Sequence, residues 1–319
     1  MLKAFFLLLM TSYIYANTIV DIYLDSGIGA VEKYIQTQLE SKSYWADRLK
    51  EKDVSLGYYE KLDTLLVANK KTKKLEVFNN ADTKLTHVTT YDVIVGKNGD
   101  KKEEGDLKTP LGVYEITKRF TPSDQFYGPL AYVLSYPNTK DKVEGKNGYG
   151  IWIHGSPLDG SERDPMSKGC IVMDNDTINL LDTNIKSDSA ITLVGEDEIQ
   201  KTTTEEISII LANLYRWKNV WEVNNLTEYL AFYSDDFKRY NGMGKKAFSK
   251  MKQYVFANDS DKTIKLENIN ISPYPNEENK KIFKIAFYEY YNAKRHKYQG
   301  NKELYVLLEN DKFSILVEK

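Results

Sequence analysis

The sequence predicts an α+β chain: a short helical piece, a β-rich domain, and a second domain of helices followed by an antiparallel meander. Three observations carry this. Runs rich in Val, Ile, Thr and Tyr recur from Thr64 to Val194, with turn residues between them. A charged, Thr-rich stretch from Gly195 to Thr204 then breaks the pattern. Beyond it a helical apolar period gives way to four strand-like runs, the order that makes an α+β domain with a curved sheet around a helix.

Residues 1–16 come first. Lys3 supplies a positive charge, residues 4–10 are an apolar run, and a small residue, Ala16, precedes Asn17. That is the layout of a cleavable secretory signal. The run is too short to span a bilayer, which takes about 20 residues. No later segment is apolar for long enough either, so the chain is expected to be exported to the periplasm without a lasting membrane span.

Residues 17–58 read as a helical segment. Leu24, Ile28, Val31, Ile35 and Leu39 recur every three or four positions and draw a stripe on one helix. Such a stripe docks on its own fold or on a second copy of the chain, so a homodimer is one expectation.

Residues 59–196 form the β-rich domain. Strands are expected at 64–68, 74–79, 86–95, 111–117, 131–136, 148–154 and 190–194. One helix is expected from Asp176 to Asn184, capped by Asp174 or Asp176. Residues 197–205 read as a linker. In residues 206–319, Ile210, Leu214, Trp217 and Trp221 share one helical face. Leu226, Leu230 and Tyr233 suggest a second helix, and residues 245–255 a third. Strands are expected at 263–272, 281–291, 302–309 and 312–318.

Composition excludes several functions. The net charge of −2 makes no electrostatic case for nucleic acid or an anionic membrane surface. The chain has no CxxC, no HExxH and no cluster of His with acids, so neither a metal nor another cofactor is expected.

Chemistry concentrates in one stretch. The single cysteine, Cys170, lies in Ser167-Lys168-Gly169-Cys170, and fifteen residues separate it from His154 near the end of Ile151-Trp152-Ile153-His154-Gly155. A lone thiol in an exported chain has no disulfide partner within it, and a nearby His makes it a candidate nucleophile. Strand alternation sets Ile151 and Ile153 on one face and Trp152 and His154 on the other, an aromatic wall beside a base. No acid adjoins His154, so the Gly155 carbonyl would orient its ring. The main-chain N–H of Cys170, and that of Gly169, would stabilise an oxyanion. Ser167 would shape the loop, and Lys168 would meet a substrate carboxylate. The expected reaction is acyl transfer through a thioester. His87 and His296 read as structural or solvent-facing.

These residues resemble the L,D-transpeptidase (YkuD-type) catalytic domain. So does the upstream run from Gly105 to Tyr114, with Thr109-Pro110-Leu111-Gly112 similar to that family's Thr-Pro-x-Gly. The resemblance implies Cys170 as nucleophile, His154 as base, Gly155 as its supporting carbonyl, and peptidoglycan stem peptides as substrate. This sequence departs from the commonest pattern at Lys168, where the family usually has His, and at Val172, where many members carry Arg or Asn. Both departures weigh against cross-linking. The C-terminal segment, with Trp217, Trp221, Tyr229-Leu230 and residues 232–237 before the strands, resembles an NTF2-like domain. The whole arrangement is similar to the periplasmic L,D-carboxypeptidases that set cell shape in curved and helical Gram-negative bacteria. That implies removal of the terminal D-Ala from tetrapeptide muropeptides. The alternatives are an L,D-transpeptidase and a peptidoglycan-binding scaffold acting through the NTF2-like pocket.

Overall fold

The computed structural model describes residues 18–81, 84–185, 189–258 and 261–319. The expected signal, residues 1–16, lies outside these. The chain forms two sheets with helices on them, and the two domains pack directly on each other.

After the two-residue strand β1 (Tyr58–Tyr59), the first domain holds β2 (Thr64–Asn69), β3 (Lys74–Ala81), β4 (Lys84–Asp92), β5 (Gly112–Phe120), β6 (Ala131–Leu134), β7 (Trp152–His154), β8 (Ile171–Val172) and β9 (Ala190–Gly195). Strands β2 to β9 make one eight-stranded sheet in the order β4-β3-β2-β9-β5-β6-β7-β8. Leu66, Leu75, Val77, Tyr114, Ile153 and Ile171 bury the inner face. The helix expected in this domain spans Asn175–Asn184, and Asp174 caps it by accepting from Thr177 N–H at 2.8 Å. Its Ile178 and Leu181 are fully buried.

The second domain holds the helices Thr204–Glu222, Leu226–Ala231 and Lys245–Asn258, and the strands β10 (Tyr233–Arg239), β11 (Lys262–Pro273), β12 (Ile282–Ala293), β13 (Lys297–Glu309) and β14 (Lys312–Glu318). The long helix starts in a capping box, with Thr203 and Glu206 satisfying each other's backbone N–H. Ile207, Ile210, Leu214 and Trp217 sink it into the curled sheet. Tyr233 differs from expectation: it begins β10, parallel to β14, instead of ending a helix. The polar run Ser234-Asp235-Asp236 hides that strand, because it lies at the sheet edge where only Tyr233 and Phe237 are buried.

The N-terminal stripe is split. Gly27 adopts φ 77°, a left-handed conformation that ends helix 18–26 before the next helix, Ile28–Leu39. Val31 is buried and Leu39 packs on the second domain's core, whereas Leu24, Ile28 and Ile35 are exposed. Trp45 and Leu49 of the following helix join the second domain's core. β1 pairs with β11 of that domain.

The junction between domains combines an apolar core with buried polar contacts. Leu65, Val67, Val113 and Leu193 of the first share a core with Tyr274, Ile282, Tyr305 and Val317 of the second. Lys284 of β12, nearly fully buried, pairs with Glu115 of β5. Asn138 Nδ2 donates to Tyr274 Oη at 2.9 Å. Residues 197–205 are tied down here, with Thr202 N–H donating to the Ser55 carbonyl at 2.9 Å. Among the described residues no helix is long and apolar enough to cross a membrane.

Candidate active site

Strand pairing builds the site. β7 and β8 run parallel with Ile153 opposite Ile171 and His154 opposite Val172. Cys170 therefore falls beside Trp152, one strand spacing of about 4.8 Å away. By alternation Trp152, His154 and Cys170 share one face, while Ile153 and Ile171 fill the core beneath with no exposure.

Backbone hydrogen bonds hold the nucleophile loop. Ile94 and Val172 exchange two, at 2.7 and 2.8 Å, and Ser167 N–H donates to the Val95 carbonyl at 2.9 Å. Ser167 Oγ donates to the Cys170 carbonyl at 2.5 Å and accepts from Gly169 N–H at 3.1 Å. Ser167 thus shapes the loop. It also occupies the Gly169 N–H, which corrects the expectation that this group faces an oxyanion. Gly169 has φ 125°, and a Cβ there would lie 2.8 Å from the Lys108 carbonyl oxygen, so only glycine suits the position.

The segment from Gly105 to Gly112 is the wall behind this loop. Asp106 accepts from the N–H groups of Lys102, Glu103 and Lys108 and from Lys101 Nζ. Partial burial works against its charge, but those donors outweigh it and hold the carboxyl down to about 2. Thr109, fully buried, accepts from Gly96 N–H at 2.8 Å.

His154 is 1% exposed. Its Nδ1 lies 2.7 Å from the Gly155 carbonyl oxygen. A carbonyl only accepts, so Nδ1 carries the hydrogen and Nε2 is left as the base. Burial pushes the imidazole down to about 4, against the pull of that carbonyl, and the Arg163 charge adds to the fall. Burial also pushes the Cys170 thiol up. Cys170 Sγ lies 3.6 Å from the Gly150 carbonyl oxygen, the distance of a weak thiol hydrogen bond. Both shifts favour the neutral forms, a thiol and an imidazole on one face, over an ion pair.

Gly155 is glycine for a packing reason. A Cβ there would lie 2.5 Å from Asn175 Oδ1 and 2.9 Å from Pro129 Cδ. Asn175 Oδ1 also accepts from Ser156 N–H at 2.9 Å, which fixes the peptide behind the imidazole.

Trp152 is half-buried and packs edge-on against Phe120 at 5.1 Å between ring centroids. Lys168 is exposed and makes no ion pair among the described residues. His87 and His296 are exposed and lie outside the site.

Three contributors are not legible in the sequence. Tyr127 covers Trp152 and His154, with centroids at 4.9 and 5.0 Å. Arg163 sits with its guanidinium carbon 4.5 Å over the Phe126 ring. Asn175 is the third. The aromatic pair inside the turn-rich Asp124-Gln125-Phe126-Tyr127-Gly128-Pro129 is the one available signal for the first.

Comparison with known proteins follows the same division of the chain. The L,D-transpeptidase catalytic domain (YkuD) matches residues 63–193, and the Cds6 C-terminal NTF2-like domain matches residues 209–319. The crystal structure of the helical cell shape determining protein Pgp2 from Campylobacter jejuni is 40% identical, covers 88% of this chain and 99% of its own, and superposes with a TM-score of 0.83. This chain belongs to the YkuD L,D-transpeptidase family. A mutant of Pgp2 gives a TM-score of 0.85 at 39% identity, over 88% of this chain and 99% of the mutant chain. Bd1075 of Bdellovibrio bacteriovorus is 27% identical with a TM-score of 0.65, over 84% of this chain and 96% of its own. YafK of Escherichia coli K12, which carries an L,D-transpeptidase name, is 32% identical over 85 residues, 26% of this chain and 30% of YafK. The chain therefore spans less than a third of YafK. Within the family this member combines the catalytic domain with the NTF2-like one, and its likeness to Pgp2 runs through both.

Proposed function

We propose that this family member is a periplasmic L,D-carboxypeptidase, which shortens tetrapeptide stems of peptidoglycan to tripeptides and so contributes to cell shape. The observation that carries the reading is the His154 Nδ1 to Gly155 oxygen contact, on a face shared with Cys170. It leaves Nε2 without the hydrogen, on the same face as the thiol, so that a base and a nucleophile share that face. The two-domain likeness to Pgp2, a helical cell shape determinant, supports the cellular role.

The chemistry runs in two halves. Cys170 Sγ attacks the carbonyl at the L-centre of meso-diaminopimelate while its proton passes to His154 Nε2. The Cys170 N–H stabilises the oxyanion. The C–N bond breaks, D-Ala leaves as the amine with the proton from His154, and a thioester remains. Water then attacks the thioester, giving its proton to His154, and the thiol is restored. Val172 is fully buried and apolar, so it offers no polar group to hold an acceptor amine. That favours water as the acyl acceptor.

The test is incubation of the purified protein and Cys170→Ala with disaccharide tetrapeptides, read by mass spectrometry. Loss of one alanine that requires Cys170 is expected. Cross-linked dimers or D-amino-acid exchange would make it a transpeptidase. Peptidoglycan binding retained in both proteins with no product would make it a scaffold.

A further inference from the structure

We propose that Arg163 receives the free C-terminal carboxylate of the leaving residue and thereby makes the site specific for chain ends. This rests on the carboxypeptidase reading and deepens it. In such a substrate the carboxylate carbon lies only three bonds from the scissile carbonyl carbon, about 3–4 Å away. A cation that reads it must therefore lie within reach of the thiol.

Arg163 is the cation on this rim whose charge reaches the thiol. It sits on the loop between His154 and Cys170, stacked at 4.5 Å on Phe126, the neighbour of the Tyr127 ring that covers His154. Its charge acts on both Cys170 and His154. Its Nε is buried and has no hydrogen-bond partner. Arg119 and Arg216 hold carboxylates, whereas Arg163 holds none among the described residues. A buried guanidinium N–H without an acceptor is costly unless a ligand supplies one. The planar fork suits a carboxylate in two-point contact.

The other cations near the site do not qualify. Lys101 also acts on Cys170, but Asp106 already neutralises it at 2.7 Å. Lys168, the residue expected from sequence to meet the carboxylate, is exposed on the loop. Stacking on Phe126 holds the Arg163 fork in place before a ligand arrives, which lowers the entropy cost of binding.

The experiment compares a tetrapeptide ending in D-Ala with the same peptide ending in D-alaninamide, for wild type, Arg163→Lys and Arg163→Met, each shown by its melting curve to be folded. Wild type should prefer the acid. Arg163→Met should lose about 10- to 100-fold in kcat/KM for the acid and little for the amide, so the preference collapses; Arg163→Lys should keep part of it. An undiminished preference in Arg163→Met overturns the proposal. A second readout needs no turnover: the rate of Cys170 alkylation by anionic iodoacetate relative to neutral iodoacetamide. Arg163→Met should lower that ratio about fivefold or more. If wild type cleaves neither peptide, the carboxypeptidase reading fails, and the alkylation ratio alone decides whether Arg163 draws an anion to the thiol; an unchanged ratio overturns it.

Discussion

His154 Nδ1 stands 2.7 Å from the carbonyl oxygen of Gly155, its own neighbour in sequence. A backbone carbonyl does here what a carboxylate does in many catalytic triads: it selects the tautomer and aims the ring. It does so without a negative charge, so the imidazole is not held protonated, and burial brings it down to about 4.

Position 155 should therefore be intolerant. In Gly155→Ala the new Cβ meets Asn175 Oδ1 at 2.5 Å and Pro129 Cδ at 2.9 Å, so the peptide must shift. We expect a loss of about 1–3 kcal/mol in stability, as for other overpacked sites. Activity should fall further than stability explains, because the carbonyl moves with the peptide. Denaturant melts and kcat on tetrapeptide check both. Asn175→Ala, which removes the clash partner, should restore part of the stability of Gly155→Ala.

The depressed imidazole sets a pH dependence of stability. His154 binds a proton in the unfolded chain near 6.5 but in the folded one only near 4. Between those values the unfolded state holds more protons, so stability falls as pH drops from 6.5 towards 4. The shift bounds the loss at roughly 3 kcal/mol. His154→Gln should lack this component, and the difference between the two pH–stability curves measures it.

A neutral thiol and a neutral base imply a particular labelling profile. Iodoacetamide modification of Cys170 should keep rising with pH through about 8 and beyond, since burial raises the thiol. A plateau already reached near pH ~6 would mean an ion pair and would contradict the neutral resting state. His154→Ala should slow the reaction at neutral pH.

Lys168 is a control. Exposed and without an ion pair among the described residues, it should tolerate replacement. Lys168→Ala should leave KM for tetrapeptide within about twofold. A large rise would transfer to Lys168 the carboxylate role assigned here to Arg163.

Lys284 tests the junction between domains. It is nearly fully buried between Glu115 of the first domain and Glu303 of the second. Lys284→Met leaves Glu115 without its cation and Glu303 with Lys319 alone, a change that costs about 3–5 kcal/mol for a well-buried pair and less here, where Glu115 is partly exposed. Calorimetry should show a lower melting temperature and a separation of the two domains' transitions. A single unshifted transition would show that the apolar contacts alone hold the domains.

Much of the chain is legible without coordinates. Strand periodicity locates the meander of the second domain, because strands with one apolar face alternate visibly. Edge strand β10 escapes such a reading, since an edge shows polar side chains to water and loses the alternation. β8 escapes it for a different reason: two residues are too few to carry a period. The helix stripe at residues 24–39 is visible, but Gly27 divides it and much of it stays exposed.

The sequence by itself determined the compositional limits, the α+β order of elements and Cys170 and His154 as the candidate pair, because these depend on residue types at short spacing. Only the tertiary structure decided what surrounds that pair. Tyr127, Arg163 and Asn175 come from three separate segments, and the sheet order brings them to one rim. It also decided the charge state, since burial by distant segments, and not the local motif, lowers the imidazole and raises the thiol. Local spacing encodes which side chains share a face; desolvation is a sum over everything packed around them, and that sum exists only in the folded chain.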